Sequence, residues 1–199
     1  MRLRGSMLAC AIALGAGFSA ANQGPRVEWT HYANARWGFC VDYPSGWKAI
    51  ALTDGSGVTL HPYAAADRGG GPYISISGLP DQPPVDNANI VLDDSPPLNL
   101  AGNFSRALDS LKQYDHASHI HVLEKRPLQF EGFDALSTSI RYRTATHGTD
   151  VANKTLWINK EYIIFTATLL GAPQEVHELE PMYHEIVKHR FRLECSLGN

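Results

Sequence analysis

Residues 115–121, DHASHIH, set one carboxylate and three imidazoles within seven positions of this 199-residue sequence. Neutral imidazoles with a carboxylate suit zinc or copper. On a strand, His119 and His121 point to the same side, and Asp115 and His116 fall in the connection before it. The segment is therefore a candidate metal site made by His116, His119 and His121 beside Asp115. The competing reading is a polar turn with solvated side chains, and no second cluster reinforces the metal. HEIVKH, 184–189, spaces its histidines at i and i+5, whereas zinc proteases need i and i+4. At about 100° per residue the two rings diverge by about 140°, which fits a solvated helix face better than a shared metal.

Nucleophilic chemistry has no foothold. There is no Gly-x-Ser-x-Gly elbow, and Ser56 within DGSGV sits in an expected hairpin turn. RGGGP, 68–72, lacks the Lys and Ser/Thr of a phosphate-binding loop. Asp93 and Asp94 are adjacent in a proline-rich stretch and read as solvated rather than as an acid and base pair. Without a catalytic constellation the chain is read as no enzyme, and no cofactor is expected beyond the candidate zinc or copper.

The N-terminus says where such a protein works. Arg2 and Arg4 precede an apolar run over 7–18, and Ser19-Ala20-Ala21 supplies small residues for cleavage. Residues 1–21 are read as a cleaved export signal, leaving a single domain over 22–199 in the periplasm or outside the cell. A lipid anchor at Cys10 is disfavoured, because most of the apolar core follows that cysteine instead of preceding it. No other stretch nears the ~20 apolar residues of a membrane span, so no stable anchor is expected after cleavage.

Cleavage removes two basic residues and shifts the formal charge from −3 to −5. That balance, with no basic run, opposes nucleic-acid binding. Cys40 and Cys195 then form an even pair in an oxidising compartment, which favours one intramolecular disulfide. A free buried thiol at Cys40 and an intermolecular bridge are the alternatives.

Elements must position these groups. Alternating runs predict strands at VEWTHY, WGFCVDY, WKAIAL, GVTLHP and PYISIS, with Trp47 to Leu52 and Val58 to Pro62 forming a hairpin. Phe104, Ala107, Leu108 and Leu111 follow i, i+3, i+4, i+7, which predicts a helix capped by Asn99 or Asn103. Four more strands follow at HIHVLEKRPL, FDALSTSIRYR, KTLWIN and EYIIFTATLL, with turns at Glu131-Gly132 and near Asn159-Lys160. The apolar run of the last predicts cover on both faces. Residues 173–189 read as a second helix with Pro181 starting or kinking a turn. This order predicts an α+β domain, a mainly antiparallel sheet with helices packed against it.

Between 78 and 99 lie five prolines and Asp81, Asp86, Asp93 and Asp94. So long an irregular stretch is uncommon in a compact domain, and these aspartates are the expected partner-contact surface, with the glycine loop at 68–71 beside them.

Tyr32, Asn34, Gly38, Phe39, Tyr43, Pro44 and Trp47, within YANARWGFCVDYPSGW, resemble the N-terminal signature of the PsbP-like family. The ending FRLE after an amphipathic helix is similar to that family's close, although His189-Arg190-Phe191 stands where a serine is usual. The resemblance implies an α/β/α sandwich and an exported bacterial member. It also implies that WGFCVDYPSGW is a structural corner, since members with unrelated roles share it: photosynthetic extrinsic subunits, envelope lipoproteins, secretion chaperones and a small-GTPase partner. Its functional implication is a non-catalytic binding or accessory protein acting through contact with another protein, with immunity to a delivered toxin as one form. The alternative class is a periplasmic metal-binding protein using residues 115–121.

Overall fold

The computed structural model describes residues 27–62, 71–80, 99–145 and 148–195. The signal segment 1–21 and the aspartates Asp81, Asp86, Asp93 and Asp94 lie outside the described residues.

Two-residue alternation builds the sheets. The first five strands are β1 (Trp29–Asn34), β2 (Phe39–Pro44), β3 (Trp47–Ala51), β4 (Gly57–Pro62) and β5 (Tyr73–Pro80). Helix α1 (Leu100–Gln113) follows, then β6 (Ser118–Phe130), β7 (Phe133–Arg143), β8 (Asp150–Lys160) and β9 (Ile163–Gly171). Helix α2 (Pro173–Glu185), a π-helical turn (Ile186–Arg190) and β10 (Phe191–Arg192) close the described chain. Seven strands pair in the order β3-β4-β5-β9-β8-β7-β6, and β1-β2-β10 make a small second sheet. Every pairing is antiparallel.

The large sheet is apolar on both faces, as its central strands foretell. Along β7, Leu136, Ile140 and Tyr142 face α1 and pack with Phe104, while Ala135 on the next position joins the opposite core. That second core is larger: Val58, Leu60, Ile74, Ile76, Phe165 and Leu169 of the sheet meet Phe39, Val41, Tyr183, Ile186 and Phe191. Fully burying a side chain of this size contributes about 1.5–3 kcal/mol, so this core dominates stability. The result is an α+β arrangement with α1 on one face of the sheet and α2 with the small sheet on the other.

Polar groups under α1 are satisfied across strands. Thr138, Thr155, Thr168, Ser75 and Thr59 stand in register over five neighbouring strands. Thr155 and Thr168 share a hydrogen bond at 3.1 Å, Ser77 and Thr166 one at 3.0 Å, and Trp157 Nε1 donates to Thr138 Oγ1 at 2.9 Å. Cross-strand hydroxyl pairs of this kind offset the cost of burying them.

Helix termini follow local chemistry. Asn99 Oδ1 accepts from Gly102 N at 2.8 Å and caps α1. Pro173 occupies the first turn of α2, and Glu175 Oε2 accepts from Ala172 N at 3.0 Å. The α-helix expected to run to His189 ends at Glu185. The wider π turn that follows buries both Ile186 and Val187 before Phe191 enters the core. The β8–β9 turn falls at Glu161-Tyr162, later than expected, because Asn159 and Lys160 still pair with Ile164 and Ile163. Glu161 takes φ +59° there.

Candidate functional site

WGFCVDYPSGW is a corner in the structure. Asn34, only 8% exposed, accepts from Trp37 N at 3.2 Å and donates to Gly55 O at 3.1 Å. It thereby locks the β1–β2 turn to the β3–β4 hairpin. Gly38 N returns to Asn34 O at 2.8 Å with φ +71°, a conformation that favours glycine. Tyr32 OH donates to Gly57 O at 3.4 Å, and Gly57 is hemmed in: a Cβ there would stand 2.0 Å from Ile76 O. Cys40 follows, bonded to Cys195 with 5.7 Å between their Cα atoms, so β2 is stapled to the end of the described chain.

Residues 115–121 do not converge on a metal. Among the described residues, no group of three His, Cys, Asp or Glu side chains is placed to hold one. β6 carries an extra residue between Ser118 and His121, opposite Arg143 and Arg141, so the strict alternation on which a shared face for His119 and His121 rested does not hold there. A bulge breaks the alternation. His119 takes φ +52° and shares a hydrogen bond with Ser118 Oγ at 3.2 Å, His116 takes φ +47°, and all three imidazoles are exposed. His184 meets Glu180 at 3.3 Å on the exposed side of α2, with no metal partner beside it.

The feature that sequence reasoning missed is a cavity of about 510 Å³ between the first turn of α1 and the end of the β6–β7 hairpin. Leu100, Ala101, Pro127 and Leu136 form its apolar wall, and Gln129, Asp134 and Asn159 supply polar groups. Its volume falls within the range of ligand sites, as does its pairing of apolar walls with few polar groups. Strand register puts the polar groups in one row: Gln129 pairs with Asp134, and Ala135 with Ile158, so the next positions, Asp134 and Asn159, stand opposite each other. Gln129 Nε2 donates to Asp134 Oδ1 at 2.6 Å. Asn159 Oδ1 is buried and has no hydrogen-bond partner. The sequence signal was present only as an asparagine at a strand end, which looked like a turn residue.

The order of elements, an antiparallel seven-stranded sheet with one helix on each face, can be compared with solved structures. The solution structure of the cyanobacterial PsbP, CyanoP, from Synechocystis sp. PCC 6803 superposes with a TM-score of 0.56 at 12% identity, covering 88% of this chain and 98% of that one. The fold is PsbP-like. LpqN of Mycobacterium tuberculosis, described as involved in cell envelope biogenesis, shares it with a TM-score of 0.50 at 15% identity over 84% of this chain and 91% of that one. At these identities the likeness is one of fold. No family model and no curated protein matches the chain.

Within this PsbP-like fold the signature residues do structural work on the sheet face away from α1. Phe39 is fully buried against Phe165 and Phe191 at centroid distances of 6.2 and 6.0 Å, and Trp47 and Tyr43 pack at the margin of the same core. None of the signature residues lines the cavity. Among the described residues, no helix is long and apolar enough to cross a membrane.

Proposed function

We propose that this protein is an exported accessory module of the cell envelope that works by holding part of a partner protein, without chemistry of its own. The observation that carries the reading is the cavity beside α1, with an apolar wall and the polar groups of Gln129 and Asp134 at its hairpin side. The export signal read at 1–21, the Cys40–Cys195 bond and the fold shared with an envelope-biogenesis protein support the location. The proline-rich segment with Asp81, Asp86, Asp93 and Asp94 precedes α1 in the sequence and is proposed as the second part of the contact surface.

Site-directed photo-crosslinking in the producing cell tests the proposal. A crosslinker at Ala101, on the cavity wall, is expected to capture a defined protein, whereas one at Tyr114, exposed just beyond the other end of α1, is expected to capture none. Equal capture from both positions, or none from Ala101, would remove the cavity as a binding site.

A further inference from the structure

We infer that β3, the edge of the large sheet opposite β6, pairs antiparallel with β3 of a second copy of this chain, so that two molecules form a two-fold dimer. This goes beyond the proposed binding of a partner and uses the other end of the sheet from the β6–β7 hairpin.

The two edges of the sheet are made differently. β6 carries register shifts, a charged run and Pro127, which keep strands of other molecules away. The register of β3, WKAIA, with β4 is unbroken, it holds no proline, and Lys48 is its one charge. Trp47, Ala49 and Ala51 are apolar on one face and Ile50 is apolar on the other, the pattern of a strand covered on both sides. Yet among the described residues β4 is the one strand that pairs with it, and Ile50 is 43% exposed.

The ladder determines which backbone groups are left over. Leu52 N donates to Gly57 O at 2.9 Å, which makes theirs a hydrogen-bonded pair, and along an antiparallel ladder such pairs alternate. Lys48 and Ile50 therefore turn their N–H and C=O groups to β4, while Trp47, Ala49 and Ala51 turn theirs to the open side.

A second β3 satisfies all of these groups in one register. With the two-fold axis at Ala49, each Ala49 faces the other, and Trp47 faces Ala51 of the second copy. The same register sets Lys48 across from Ile50 of the second copy, where its aliphatic stem lies along an apolar side chain. An axis at Lys48 would bring two ammonium groups face to face and leave Ala51 without a partner. An axis at Ile50 would leave Trp47 without one. Pairing through a two-fold axis closes on itself, and the protected β6 edge stops further growth. Two strands of five residues cover less than the about 1,200–2,000 Å² of a stable interface, so this dimer exchanges with free monomer.

Sedimentation equilibrium and amide hydrogen exchange by NMR, on the protein purified from the producing cell over about two decades of concentration, test the pairing. The average mass is expected to rise from monomer toward dimer. With it, the amides of Trp47, Ala49 and Ala51 gain protection, while those of Lys48 and Ile50, already bonded to β4, stay unchanged. Ile50→Glu, which faces Lys48 of the second copy twice by symmetry, is expected to tighten the dimer about fivefold, and Ile50→Lys to weaken it by a similar factor. Both replace an exposed side chain, so the unfolding midpoint is expected to stay near the parent's. A monomer at every concentration, the same effect from the two substitutions, or protection gained along β6 in place of Ala49 and Ala51 would overturn the assignment. Crosslinking from Ala101 judges the partner-binding function separately.

Discussion

Glu180 shows how one side chain joins layers in this molecule. From the half-buried flank of α2 it accepts from Lys154 on β8, and His184 sits 3.3 Å away on the next helical turn. The hydrogen-bonded Lys154 ammonium holds the Glu180 carboxyl below its ordinary value against the opposing pull of partial burial, with His184 adding a smaller effect. A carboxyl lowered in the folded state stabilises the protein above its unfolded value of 4.5, and that contribution is lost as pH falls from there through the folded value. Glu180→Gln is therefore expected to destabilise the protein at pH 7 and to match the parent in strong acid. Urea unfolding at a series of pH values measures it; a gap that persisted undiminished to the lowest pH would show that packing, and not charge, is at stake. Tyr183, the neighbour facing inward, is a different case. Its hydroxyl donates to Ala167 O at 2.8 Å, and burial raises its titration far above the ordinary phenol range, so it stays neutral at any physiological pH.

Elements carry the next level of meaning, and β6 is the most informative. It is the edge of the large sheet, thirteen residues long, and exposes Val122 and Leu123. Two register shifts, the charged run Glu124, Lys125 and Arg126, and Pro127 all discourage pairing with another strand. Zinc titrated into the parent and into His119→Ala/His121→Ala is expected to bind both indistinguishably and weakly by calorimetry, because no three side chains there are placed to hold an ion among the described residues. Tight binding by the parent alone would reinstate a metal site at 115–121. At the other end of the hairpin, Glu131 and Gly132 both take positive φ, +49° and +86°, the pattern of a two-residue hairpin turn that follows the twist of its strands. Glu131 accepts that conformation while its carboxylate ties the hairpin to Leu193 N, so the turn that shapes the cavity is anchored to the chain end.

At the scale of the whole molecule, the Cys40–Cys195 bond links positions 155 residues apart. The chain-entropy model assigns a loop of this length about 5 kcal/mol, and disulfides typically contribute about 2–4 kcal/mol. Cys40→Ser/Cys195→Ser is expected to lose about that much in denaturant unfolding, with an otherwise folded sheet, since Phe39, Val41 and Phe191 keep their burial without it. An unchanged midpoint would mean that β10 is held by packing alone. The staple matters for location as well as stability, because such a bond persists in an oxidising compartment.

The local signals in this sequence were enough to determine the elements and their class. Alternation located the strands, Asn99 or Asn103 marked the start of α1 and the structure uses Asn99, and cysteine parity pointed to the bond that the structure forms. The PsbP-like architecture was legible in Tyr32, Asn34, Gly38 and Phe39 because a tight turn and a buried aromatic demand those residue types locally. The candidate site was not legible, for a physical reason. Gln129, Asp134 and Asn159 belong to three strands, and only sheet register brings them into one row beneath the start of α1. The histidines showed the reverse: close in sequence, they lie where an extra residue in β6, set by pairing with β7, interrupts the alternation. Spacing along the chain determines which face a side chain takes only while the element stays regular, and tertiary pairing decides where it does not.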